Sequence, residues 1–134
     1  MTLTIAQADA MLAAGAARAH TLGVAANIAV LDAAAHLKAF ARMDNAVLGS
    51  IDVSIGKART SALFQISSEA VWDYCQPGAP AHNLEASNGG LMPFPGGLPV
   101  IATDGEIVGA VGVSGGAPAQ DLEIAQAAVD ALTA

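Results

Sequence analysis

The hydrophobic patterning of the chain predicts an α+β fold, an antiparallel β-sheet with helices packed on it. Three observations carry that prediction. Two pairs of short β-type segments are each joined by a tight turn; alanine-rich helical stretches lie before, between and after them; and no regular strand–helix alternation of the kind a parallel sheet needs is present. The 134 residues suit one domain, 1–134, with no internal repeat and no linker.

Thr4 and Gln7 have the spacing of a capping box, so a helix is expected from Ile5 to about Leu22, with Gly23 ending it. Ile5, Ala8, Met11 or Leu12 and Ala16 fall on its buried face. Residues 25–31 and 37–43 read as strands joined by a turn at 32–36. Ser50 is placed to cap the next helix, with Asp52 in its first turn and Ile51, Ile55, Ala58 and Ala62 on one stripe, ending near Phe64. Ser67 and Glu69 open a shorter helix through Val71, Trp72 and Tyr74, the two aromatics being assigned to the core or to an interface. Between Gln76 and Gly97, prolines and paired glycines forbid helix and central strand. A loop of this length is functional or disordered. Leu84, Leu91, Met92 and Phe94 argue for an ordered loop that covers one end of the sheet and helps form a pocket. Residues 98–103 and 107–113 form a second hairpin across Asp104-Gly105, a two-residue turn signal, and Pro118 opens a last helix to about Leu132.

Composition bounds the function. Hydrophobic residues make up 54% of the chain and charged residues 13%, against about 25% charged in an ordinary soluble domain. A surface so short of charge points to a homo-oligomer, the chain's first expected partner being itself. Five basic against twelve acidic residues give a net charge of −7 with no basic cluster, which argues against nucleic acid and against an anionic membrane surface as partners. No apolar run reaches the ~20 residues that span a bilayer. The N-terminus lacks the pattern of an export signal, so a cytoplasmic location is expected. Cys75 is the single cysteine, which excludes an internal disulfide and CxxC-type motifs.

The segments Ile28-Ala-Val-Leu-Asp32, His36-Leu37, Ala41-Arg-Met-Asp44, Ser50-Ile-Asp52 and Lys57-Ala58 come in an order that resembles the GlcG/HbpS family (haem-binding-protein-like, DUF336 type). The likeness continues through Ser87-Asn-Gly-Gly-Leu91, Phe94-Pro-Gly-Gly97, the run Gly109–Gly116 and Gln120-Asp121, nearly the whole chain. The resemblance implies a profilin-like sandwich with a central antiparallel sheet, commonly assembled into dimers or larger oligomers. Some members of that family bind haem extracellularly, some are fused to corrinoid enzymes, and others sit among catabolic genes. This chain differs in having Ala34 and Ala35 where a glycine is frequent in the first hairpin turn, and in lacking the export signal of the secreted branch.

Several residues are equipped for chemistry. Four glycines between Gly109 and Gly116, with Ser114, Gly115 and Gly116 before a helix that carries Gln120 and Asp121, allow a ligand or another backbone to come close. The free N–H groups of that helix start would suit a carboxylate or phosphate; the competing reading is a tight turn packed on a neighbouring subunit. Arg42 and Lys57 are the cations placed to hold an anion, Lys57 alternatively being a general base or a snorkelling side chain with a solvated ammonium. His82, beside Glu85 in the long loop, is the best placed of three histidines for a haem-ligand or acid–base role, against ordinary loop packing, and no zinc spacing is present. Glu85, Asn88, Phe94, Gly96 and Gly97 offer an acceptor, an amide, an aromatic wall and close backbone approach. The reading adopted is a small-molecule-binding protein for a small anionic ligand, haem or another tetrapyrrole by family resemblance. The alternatives are a catabolic enzyme moving protons on a hydroxy- or oxo-acid with Lys57 or Glu85 as base, and an assembly module with no ligand.

Overall fold

Side-chain alternation along the first strand decides which helices cover which face of the sheet. A computed structural model describes residues 2–133. Strands β1 (Asn27–Asp32), β2 (Leu37–Arg42), β3 (Gly97–Ile101) and β4 (Ile107–Ser114) form one antiparallel sheet in the order β2-β1-β4-β3. Ile28 and Val30 of β1, with Val111 and Val113 of β4, point to α1 (Ile5–Leu22) and α4 (Pro118–Thr133), meeting Met11, Ala19, Ile124 and Ala128. Ala29, Leu31 and Ala110 point the other way, to Ala58 and Ala62 of α2 (Ser50–Phe64), which has α3 (Ser68–Cys75) beside it. The fold is α+β, as the patterning predicts.

The α2 face is built from small residues, so that helix lies almost on the sheet backbone. Gly97 and Gly112 are register partners on β3 and β4. A Cβ at Gly112 would stand 1.9 Å from the Ser54 carbonyl oxygen, and one at Gly97 would stand 2.3 Å from that of Lys57. Both contacts are backbone, which cannot give way cheaply. Ala58 and Ala62 of the expected apolar stripe are buried, with Ile55 packed beside them, and the close seat also buries Ser54, Lys57, Thr60 and Ser61.

Other expectations shift for local reasons. The capping box on α1 is present, but its buried row is Ala8, Met11, Gly15 and Ala19. Ile5 is 54% exposed, because Leu3 fills the core at that end. Ser50 is the first residue of α2 and not its cap; Gly49 precedes it, and the Ser50 and Ile51 N–H groups donate to Val47 and Leu48 carbonyls. The second hairpin encloses three residues, since Ala102 N–H donates to Glu106 O around Thr103, Asp104 and Gly105. The first does the same between Asp32 and His36, with Ala35 in the left-handed position at φ 65° and the Asp32 carboxylate accepting from Ala34 and His36. Trp72 and Tyr74 are 44% and 53% exposed, so neither belongs to the core.

The loop from Gln76 to Gly97 is ordered. Leu84 and Leu91 pack on Val71 and Cys75, and the loop is tied down by Thr60 Oγ1, which accepts from Met92 N–H, and by Arg59, which donates to Asn88 O. Ser68 Oγ donates to Phe94 O and accepts from Gly97 N–H. Among the described residues no helix is long and apolar enough to cross a membrane.

Candidate functional site

The seat of α2 on Gly97 and Gly112 sends the Lys57 side chain into the protein. Its Nζ donates to Val113 O at 2.8 Å and to Asp121 Oδ2 at 3.0 Å, and both residues are buried. Asp121 Oδ1 accepts from Gly116 N–H at 2.9 Å. The Phe94 ring lies over the ammonium, 4.9 Å from ring centre to Nζ. Gly96 closes the site at φ 128°, where a Cβ would stand 2.5 Å from Val113 O and 2.8 Å from Lys57 Nζ. Burial pulls the Lys57 pKa down and pushes that of Asp121 up; their mutual attraction and, for Asp121, the Gly116 N–H oppose the shifts. The solvated ammonium expected from the sequence is therefore replaced by a buried ion pair linking α2, β4 and α4.

Two N–H groups just before α4 are taken by side chains of its first turn. Gly116 donates to Asp121, and Ala117 donates to Gln120 Oε1 at 3.0 Å. Gly115 has φ 143° and lies against Ala25, where a Cβ would stand 2.5 Å from the carbonyl oxygen. These glycines make a tight turn within the chain itself. Ser114 is buried beside it.

Phe94 is also a wall of an open groove of about 810 Å³, with Glu69, Trp72, Asp73, Glu85, Pro93 and Pro95. The structure thus brings Glu85 and Phe94 together. Asn88 is exposed at φ 55°, and His82 is exposed and does not line the groove. Burial and the neighbouring Glu85 push the Cys75 thiol pKa up, which leaves it an inert core residue.

Arg42 lies elsewhere. It ends edge strand β2 in register with Asn27, which pairs in turn with Ser114, so two strand spacings of about 4.8 Å separate it from β4. There it lines a hollow of about 530 Å³ with His20, Ala41, Met43, Asp44 and Asn45. A second hollow of about 490 Å³ adjoins it, sharing residues Arg42 to Asn45 and adding Ala46 and Leu48. Asn27 Nδ2 donates to Val47 O and Met43 Sδ accepts from Ala26 N–H, which fixes the segment after β2. The Arg42 side chain has no hydrogen-bond or ion-pair partner among the described residues. Sequence reasoning missed His20, which its position near the end of α1 explains as a dipole contact; only the packing of α1 along β2 brings it to Arg42.

A family model described as haem degrading protein HbpS-like matches residues 3–130. The chain belongs to the HbpS-like family. A 15.0 kDa protein of the dhaT–dhaS intergenic region of Citrobacter freundii is 38% identical over 130 residues, covering 96% of this HbpS-like chain and 91% of that one. The crystal structure of Klebsiella pneumoniae protein ORFY superposes with a TM-score of 0.96 at 36% identity, over 100% of this chain and 92% of that one. The crystal structure of a PduOC–haem complex superposes with a TM-score of 0.91 at 31% identity, over 98% and 95%. The family predicted from the motif order is thereby the family found, and a haem complex is known for one of these relatives.

Proposed function

We propose that this HbpS-like chain is a small-molecule-binding protein that takes haem, or a closely related tetrapyrrole, in the hollow between His20 and Arg42. Haem is suited by a side-chain donor for its iron, a cation near its propionates and apolar walls for its ring. His20 supplies an imidazole, Arg42 a guanidinium without a partner among the described residues, and Ala41, Ala46 and Leu48 apolar surface. The groove at Phe94 offers neither a histidine nor a cation among its lining residues, and three carboxylates stand there instead. The reading is carried by one observation: an imidazole and a guanidinium unpaired among the described residues line the same hollow in a chain with only five Lys and Arg residues. Bound haem supplies redox-active iron; His20 would hold the iron and Arg42 orient the ring through a propionate. Val47 and Leu48 are 66% and 67% exposed beside this hollow, and a second copy of the chain covering them would complete the pocket, in keeping with the scarcity of surface charge.

The test is titration with ferric haem, followed by its visible absorption. His20→Ala is expected to abolish the ligated spectrum, and Arg42→Ala to weaken binding about tenfold or more, the scale of one charge-assisted hydrogen bond. His36→Ala and His82→Ala should bind like the parent. A ligated spectrum that survives His20→Ala and is lost with His82→Ala would move the site to the long loop.

A second reading, proton transfer on a hydroxy- or oxo-acid, is favoured by the lowered pKa of Lys57. It requires Phe94 to move aside, and the carboxylates of the adjoining groove oppose an acidic substrate.

A further inference from the structure

We propose that the groove between α3 and residues 93–95 is a second ligand site, and that its ligand is a small organic cation, an alkylated or quaternary ammonium. Glu69, Trp72 and Asp73 stand three and four residues apart on α3 and share one face, which lines the groove. Phe94, Pro93, Pro95 and Glu85 line it as well. Trp72 and Phe94 remain 44% and 38% exposed. Aromatic surface held open in a preformed groove is where a ligand gains most from burial.

Charge then selects the ligand. All three ionisable lining residues are carboxylic acids, and none is paired with a Lys or Arg of the described residues. An anion would be repelled, and a neutral apolar molecule would desolvate carboxylates without compensating them. A metal ion is disfavoured by geometry: among the described residues no group of three or more His, Cys, Asp and Glu side chains is placed to hold one. Carboxylates that surround a groove without converging suit a larger, weakly hydrated cation. Lys57 already occupies one side of Phe94 from within, which shows that ring serving as an ammonium contact. Trp72, the strongest aromatic acceptor for a cation, has no such partner among the described residues. This site shares no residue with the hollow of His20 and Arg42, so it stands or falls independently of haem binding.

Trp72 is the single tryptophan of the chain, so its fluorescence reports directly on the groove. Choline is expected to change that emission saturably, while its neutral isostere 3,3-dimethyl-1-butanol should bind about tenfold more weakly, the increment of a partly desolvated cation–π contact. The double variant Glu69→Gln/Asp73→Asn, checked for an unchanged urea midpoint, should weaken choline by a similar factor and leave the isostere unaffected. Equal affinity for choline and the isostere, equal choline affinity in parent and variant, or no saturable response to choline up to tens of millimolar would each overturn the proposal.

Discussion

Replacing Asp121 by Asn should cost about 3–5 kcal/mol of folding stability, because it strands a buried ammonium. Lys57 is 1% exposed, and its contacts beyond Asp121 are the Val113 carbonyl and the Phe94 ring. With a denaturant slope of about 2 kcal/mol per molar urea, the midpoint should fall by roughly 2 M. Lys57→Met should cost a comparable amount by stranding the carboxylate. The double variant Lys57→Met/Asp121→Leu should recover at least about half of either loss, since a buried pair is often replaceable by packed apolar groups. The two single variants also carry opposite pH signatures. In Asp121→Asn, burial holds the folded Lys57 pKa below its ordinary value of 10.5. The folded chain then binds fewer protons than the unfolded one between those values. Stability accordingly rises with pH across that window and is lost as pH falls through the folded value. In Lys57→Met, burial holds Asp121 above its ordinary 3.8, so the folded chain binds more protons. Its stability is greatest below 3.8 and is lost as pH rises through the folded value. Urea melts across a pH series measure both effects. Losses below about 1 kcal/mol, or pH slopes of the same sign in the two variants, would refute the buried pair.

Gly112→Ala should destabilise by about 3 kcal/mol or more, because its Cβ would press on the backbone of α2, whereas Gly89→Ala, with open space around it, should cost only about 1 kcal/mol of left-handed strain; urea midpoints compare them. Ala35→Gly should raise stability by about 0.5–1 kcal/mol in a thermal melt, since residue 35 has φ 65° in the first hairpin turn. Arg42→Ala, at an exposed position whose side chain has no partner among the described residues, should leave stability within about 0.5 kcal/mol while weakening haem binding.

Elements that announce themselves through local chemistry were legible in the sequence. Thr4 with Gln7, Gly23, Ser67 and Pro118 mark helix ends by capping or ring geometry, and each lies at or beside an observed boundary. The buried face of α2 was legible in Ala58 and Ala62 but not in Ser54, Lys57, Thr60 and Ser61, because what covers those is the close approach of the helix to two glycines on strands far along the chain. Lys57 reads as a snorkelling residue for the same reason: its partner Asp121 is 64 residues away, and nothing local signals that it will be covered. Arg42 and Lys57 look equivalent as anion holders in sequence, yet the strand order β2-β1-β4-β3 puts Arg42 on an edge and Lys57 under the opposite half of the sheet. His20 reads in sequence as a dipole contact near the end of α1; its neighbour in space, Arg42, comes only from the packing of α1 along β2.

The location of the haem is the central claim, and paramagnetic broadening of backbone amide signals tests it most directly. With ferric haem added to isotopically labelled protein, the iron should broaden amides around His20 and from Ala41 to Leu48, leaving those of Glu69 to Asp73 and of Phe94 sharp. Broadening centred on the amides of α3 and Phe94, with the His20 and Arg42 amides unaffected, would contradict the account.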